Sequence, residues 1–173
     1  MEWRAFDLRP DMPPEGMPSP YASPDRVSRS EGTRKMFEEA GLKYTTRTWL
    51  SNSKPALQAS EYAKEKGKFK EFHKAVFEAY FGEGKDIGSV DILSDIAQSV
   101  GLDLQEMRLA LERETYRDMV EEQFEEARAL GITAIPTFVF GDRAVVGAYP
   151  YAVFRRVMAM VQREQGIGED ATP

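Results

Sequence analysis

The segment Gly131 to Ala148, GITAIPTFVFGDRAVVGA, constrains the fold more than any other stretch of the 173 residues. Up to this point apolar positions recur with a helical period. From Thr137 the pattern changes to two short apolar runs, TFVF and RAVV, separated only by Gly141 and Asp142. A Gly-Asp pair between such runs predicts a tight hairpin with a type II′ turn, because glycine accepts the positive φ of the first central position. An Ile-Pro pair stands directly before the hairpin. Pro150 then opens a last helix whose Val153, Phe154, Val157, Met160 and Val161 fall on one face. A chain that ends helix, loop, hairpin, helix has to bury a small sheet, which makes it α/β rather than all-helical.

Upstream, Glu2 to Leu8 (EWRAFDL) mixes large apolar and charged side chains and predicts a short strand. Six of the ten prolines lie between Pro10 and Pro24, which predicts an extended surface loop. A helix is expected from Glu31 to Ala40, stopped by Gly41, and an extended run from Tyr44 to Trp49. Ser51, Asn52 and Ser53 offer caps for a helix with Pro55 in its first turn, ending near Gly67. Phe69, Phe72, Val76, Phe77, Tyr80 and Phe81 then recur at helical spacing and predict a core helix. Ser89 caps a helix that buries Leu93, Ile96, Ala97 and Val100 and stops at Gly101. Asp103 with Glu106 has the form of a capping box, opening a helical region to Leu130 with a break near Thr115. The tail from Gly166 to Pro173 is expected to fray.

Composition narrows the chemistry. Hydrophobic residues make up 42% and charged residues 30%, which suits a globular chain with a core of its own. A net charge of -6 with interleaved signs offers no stripe for a polyanion, so nucleic acid is not an expected partner. There is no cysteine and one histidine, which removes disulfides, thiolate metal sites and cysteine nucleophiles and argues against a zinc site. No long apolar stretch suggests a membrane span, and Met1 to Pro10 lacks the apolar stretch of a signal peptide, so the expected location is cytoplasmic.

The X-Pro pair before an apolar hairpin and closing helix matches the second half of a thioredoxin fold. Together with WRAFDLRP, FKEFHKAVFEAYFGEGKDI, DILSDIAQSVGL and AIPTFVF, it resembles the DsbA family of thiol-disulfide oxidoreductases, in its FrnE-like branch. The resemblance implies a thioredoxin-like α/β fold with an inserted helical subdomain. Residues 1–173 are then one domain: a strand and Pro-rich loop over 1–24, a mostly helical insertion over about 25–115, and the second half of the thioredoxin motif over about 116–165. It implies further that a central strand and a helix opening with C-x-x-C precede Glu2 in the family. Without that strand, the segments Glu2 to Leu8 and Thr137 to Phe140 are expected to stand roughly 9.6 Å apart. A gene start placed too late or a shortened chain, a natural cysteine-free variant, and a fragment completed by another chain are the three explanations, and the first is favoured because WRAFDLRP is intact at the edge of the chain.

The function the resemblance implies is disulfide exchange on a peptide or protein substrate, without a cofactor or metal. The chain as given lacks the sulfur for it, because exchange needs a thiolate and a second, resolving cysteine. No catalytic residue is therefore assigned. What the resemblance leaves is a substrate-facing loop, with Ile135, cis Pro136 and Thr137 as the substrate-binding candidates. A glutathione-dependent isomerase of the 2-hydroxychromene-2-carboxylate type, which shares the fold and uses serine, and a non-catalytic peptide-binding module are the alternatives. Partners beyond a polypeptide are a second copy of the chain, through the open strand gap, with no membrane expected. Bland readings suit His73, as a surface or half-buried ring, and the Glu121, Glu122, Glu125 and Glu126 cluster, as a solvated helix face. For the aromatic stripe the expectation is core packing, with an apolar groove as the other reading.

Overall fold

In the computed structural model of the protein, residues 1–20 and 27–166 are described, with only the backbone of 27–30. The elements in chain order are β1 (Met17–Pro18), α1 (Val27–Glu39), β2 (Trp49–Leu50), α2 (Lys54–Glu65) and α3 (Phe69–Phe77), the last continued by a π-helical turn, Glu78–Gly82. Then come α4 (Val90–Ser99), α5 (Leu104–Glu112), α6 (Arg117–Ala129), β3 (Thr137–Phe140), β4 (Arg143–Val146) and α7 (Tyr151–Glu164). The chain divides into two compact units, Met1–Phe124 and Glu125–Pro173, with the boundary inside α6. No helix among the described residues is long and apolar enough to cross a membrane.

The first unit is built around one apolar cluster. Ala59, Tyr62 and Ala63 of α2, Phe72 and Val76 of α3, Leu93 and Ala97 of α4, and Met107 and Leu111 of α5 meet in it, with Tyr116 closing one side. The caps explain where these helices begin. Ser89 Oγ accepts from the Ile92 amide at 3.5 Å, and Asp103 Oδ1 accepts from the amides of Gln105 and Glu106, both at 2.9 Å. Only half of the expected capping box forms. The Glu106 carboxylate turns instead to Lys66 Nζ at 2.6 Å and the Tyr62 hydroxyl at 3.1 Å, tying α5 to α2. The break near Thr115 is present, with Glu114 at φ 50° between α5 and α6.

Four expectations are corrected in this unit. Glu2 to Leu8 forms no strand, because a strand needs a lateral ladder and this segment finds side chains instead. The Ala5 amide donates to Gln123 Oε1 at 2.6 Å, the Trp3 carbonyl accepts from Lys64 Nζ at 3.0 Å, and Phe6 meets Phe124 edge-on at 5.2 Å. The proline-rich segment is not all loop: Met17–Pro18 pairs antiparallel with Trp49–Leu50, and Pro24 lies outside the described residues. Of the run Tyr44 to Trp49, only Trp49 is in a strand. The helix expected from Glu31 begins earlier, at Val27.

The aromatic helix departs in a more instructive way. Phe72, Val76 and Ala79 are buried, whereas Phe69, His73, Phe77 and Phe81 line the neighbouring face and Phe77 stays 49% exposed. The sequence holds two offset stripes where one core stripe was expected.

In the second unit β3 pairs antiparallel with β4 in the register Thr137 to Val146 and Phe140 to Arg143. The turn is the expected one: Gly141 has φ 62°, and Asp142 is not in the left-handed region. Helix α7 covers one face of the hairpin, where Phe154 packs against Phe138 at 4.8 Å and Phe140 at 6.5 Å between ring centroids. The tail is described only to Gly166, so the expectation of fraying there lies outside the described residues from 167 on.

Candidate functional site

The loop before β3 is set by how α6 ends. Gly131 takes φ 72°, its amide bonding the Arg128 carbonyl at 2.9 Å and the Ile132 amide reaching back to Ala127 at 3.0 Å. The chain then turns through Thr133 and Ala134 to a cis Ile135–Pro136 bond. Two hydrogen bonds hold the turn. The Thr137 hydroxyl donates to the Ala134 carbonyl at 2.6 Å, and the Gly147 amide donates to the Pro136 carbonyl at 2.7 Å.

That second bond sets the phase of the hairpin. Bonded and non-bonded pairs alternate along an antiparallel ladder, so with Pro136 bonded to Gly147 the next bonded pairs are Phe138 with Val145 and Phe140 with Arg143. Thr137 and Val139 therefore aim their amides and carbonyls away from β4. No strand among the described residues pairs with this edge, and the backbone of Ile135 has no hydrogen-bond partner among them. Ile135 is 50% exposed, Pro136 exposed and Thr137 half-buried. The three sequence candidates thus form one continuous strip, a free peptide unit leading into an open strand edge.

The face of the hairpin opposite α7 escaped the sequence reading. Val139 at 52% and Val146 at 54% are exposed there, with Thr137 and Ala144 beside them in register. Alternation in TFVF and RAVV signals that such a face exists but not that it is left uncovered.

The remaining candidates carry no chemistry of this kind. His73 is ringed by Trp3, Phe69 and Phe77 at 4.4–5.1 Å, and partial burial pushes its imidazole below the usual range, so it is neutral at pH 7. Glu121 accepts from Arg117 Nε at 2.9 Å and Glu125 from Arg128 at 3.2 Å, on an exposed helix face. No group of acidic or histidine side chains among the described residues could hold a metal ion.

An X-Pro turn feeding an apolar hairpin that is backed by a helix, together with a separate helical unit, defines a thioredoxin-like α/β protein of the DsbA type. Comparison with known proteins bears on this directly. Residues 1–159 match the DSBA-like thioredoxin domain, and the chain belongs to that family. It is 32% identical to the uncharacterized protein YwbO of Bacillus subtilis, over 95% of this chain and 84% of that one. Among solved structures, a probable DsbA oxidoreductase from Streptomyces coelicolor superposes with a TM-score of 0.85 at 24% identity, covering 98% of this chain and 76% of the other. A 2-hydroxychromene-2-carboxylate isomerase superposes with a TM-score of 0.76 at 16% identity, over 95% and 82% of the two chains. Both structural likenesses concern the fold.

Proposed function

We propose that this chain is the polypeptide-recognising part of a DsbA-type thiol-disulfide oxidoreductase, holding an extended peptide or protein substrate against Ile135, Pro136 and Thr137. The observation that carries this reading is the exposed peptide unit at Ile135, which has no hydrogen-bond partner among the described residues and stands directly before cis Pro136. An extended chain laid against such a unit gains main-chain hydrogen bonds, which give affinity with little demand on sequence. The flat apolar face at Val139 and Val146 adds contact area beside it.

Exchange itself proceeds by attack of a thiolate on a disulfide sulfur, with the other sulfur leaving as thiolate. These 173 residues contain no cysteine, so neither attack nor resolution runs on them alone. The purified chain is therefore expected to show no titratable thiol and no reduction of insulin in the presence of a dithiol. It is also expected to bind a short labelled peptide of alternating serine and valine. Affinity for that peptide should fall on changing Ile135 or Thr137 to a bulky residue. Turnover of insulin, or no binding of the peptide at all, overturns the reading.

The absence of cysteine favours one other reading, a glutathione-dependent isomerase, because such an enzyme draws its thiol from the cofactor. Saturable binding of glutathione, followed by calorimetry, supports it; no heat of binding removes it.

A further inference from the structure

The geometry points to a second polypeptide-docking surface, on the first unit, for a segment whose apolar side chains alternate with acidic ones. Its floor is the aromatic ladder that α3 leaves out of the core. Phe69, His73, Phe77 and Phe81 succeed one another at i, i+4, with ring centroids 5.1, 4.4 and 5.5 Å apart. Trp3 caps one end, 4.7 Å from His73 and 6.0 Å from Phe69, and Phe37 continues the other, 5.7 Å from Phe81. Trp3 is 40% and Phe77 49% exposed, so the middle and one end of the ladder face solvent. Exposed Trp3 and Phe77, with half-buried Phe69 and His73 between them, make a joined apolar patch rather than the scattered single side chains that folding alone leaves behind.

The dimensions set the reach of the ligand. The rings stand 4.4–5.5 Å apart, short of the roughly 6.7 Å between alternate side chains of an extended strand, so they form a continuous apolar strip that takes apolar side chains without a fixed register. The whole ladder spans about 18 Å, the length of about six extended residues.

The charge selects it further. From Lys64 to Lys74 there are five lysines against Glu65 and Glu71, on a chain whose net charge is -6. Lys64 and Lys66 are held by Glu61 and Glu106. Lys70 and Lys74 follow Phe69 and His73 on the solvent side of the ladder with the same pitch. Lys68 and Lys70 make no ion pair among the described residues, and Lys74 is 3.7 Å from Glu78. Lys68 and Lys70 are therefore the cations left to meet acidic side chains of a partner, over the Debye length of about 8 Å within which such charges act. A whole anionic membrane surface faces the net negative protein instead, which disfavours it as the occupant. The inference rests on the proposed function only for the class of partner, a polypeptide.

The test uses the full 173-residue chain and a short labelled peptide alternating phenylalanine or leucine with glutamate, followed by fluorescence anisotropy. Binding is expected to weaken about tenfold in Phe77→Ala and several-fold in Lys70→Glu, as for an apolar anchor and a rim charge. A twin peptide with lysine in place of glutamate should bind far less. Unchanged circular dichroism keeps loss of folding out of the comparison. Unchanged affinity in both variants, equal binding of the lysine twin, or loss of the signal to phosphatidylglycerol vesicles added as competitor overturns the surface. Ile135→Asp separates the two sites. Binding lost there but kept in Phe77→Ala assigns this peptide to β3 and overturns the ladder, whereas the reverse pattern supports the ladder and leaves the proposed function to its own serine-valine peptide.

Discussion

The two faces of α3 should differ sharply in what they contribute to stability. Phe72 is fully buried in the core cluster, whereas Phe77, five residues on, is 49% exposed and meets the rings of His73 and Phe81. Truncating a buried phenylalanine to alanine costs about 3–5 kcal/mol, the lost transfer energy plus the cavity left behind. For Phe77 the transfer part is halved, to about 1 kcal/mol, and its contacts with His73 and Phe81 add about 0.5–1 kcal/mol. The expected ratio is thus between twofold and threefold. Both tryptophans, Trp3 and Trp49, lie in the first unit, so urea unfolding followed by tryptophan fluorescence reports on that unit. With a slope of roughly 2 kcal/mol per molar urea, Phe72→Ala should lower the midpoint by about 2 M and Phe77→Ala by under 1 M. Equal shifts would refute the division of this helix into a core face and a solvent-facing ladder, and the docking surface would go with it.

Other consequences can be measured on the same protein. His73 is the only histidine and partial burial holds its imidazole below the ordinary value, so the unfolded chain binds the extra proton first. Its contribution is complete above about pH 6.5 and is lost as the pH falls toward the folded value; His73→Phe should remove that part of the pH dependence, and a midpoint that does not change between pH 7.5 and 5.5 in the parent chain contradicts it. At Gly16, φ is +83° and an added Cβ would stand 2.4 Å from the Leu50 carbonyl oxygen, so Gly16→Ala should cost upwards of about 2 kcal/mol by forcing β1 off β2; a midpoint within error of the parent would show that the pairing is dispensable. Burial raises the Tyr62 hydroxyl to about 12, with the Glu106 carboxylate adding to the effect, and burial raises Tyr116 beyond that. Ultraviolet titration, with Tyr62→Phe and Tyr116→Phe to assign the signal, should therefore leave these two hydroxyls un-ionised at pH 11 in the folded chain, and their ionisation by that pH would mean that neither is held as described.

What the sequence made legible follows how local each cause is. Gly131, Gly141, Pro150, Ser89 and Asp103 act within a few residues of themselves, and the turns and helix ends they predict are present. Phe138 and Phe140 could be assigned to one face because alternation in a four-residue strand leaves no other choice. The failures have non-local causes. Glu2 to Leu8 has the composition of a strand, but strand formation depends on a neighbour, and the Ala5 amide is satisfied by Gln123, 118 residues away. Met17–Pro18 is in a ladder because Trp49–Leu50 comes to it, which proline content conceals.

The aromatic helix shows the same limit at the candidate surfaces. Its residues fall at helical spacing whether they face the core or solvent, and only the second offset row, Phe72, Val76 and Ala79, tells the two faces apart. Where one helix carries two apolar rows and the core can receive only one, the other is left at the surface. The open edge of β3 obeys the same rule: the ladder with β4 uses the backbone of Phe138 and Phe140, and the amides and carbonyls of Thr137 and Val139 stay available to whatever extended chain arrives. Both surfaces are places where local order is complete and tertiary order is not, which is why sequence periodicity found the elements and could not say what covers them.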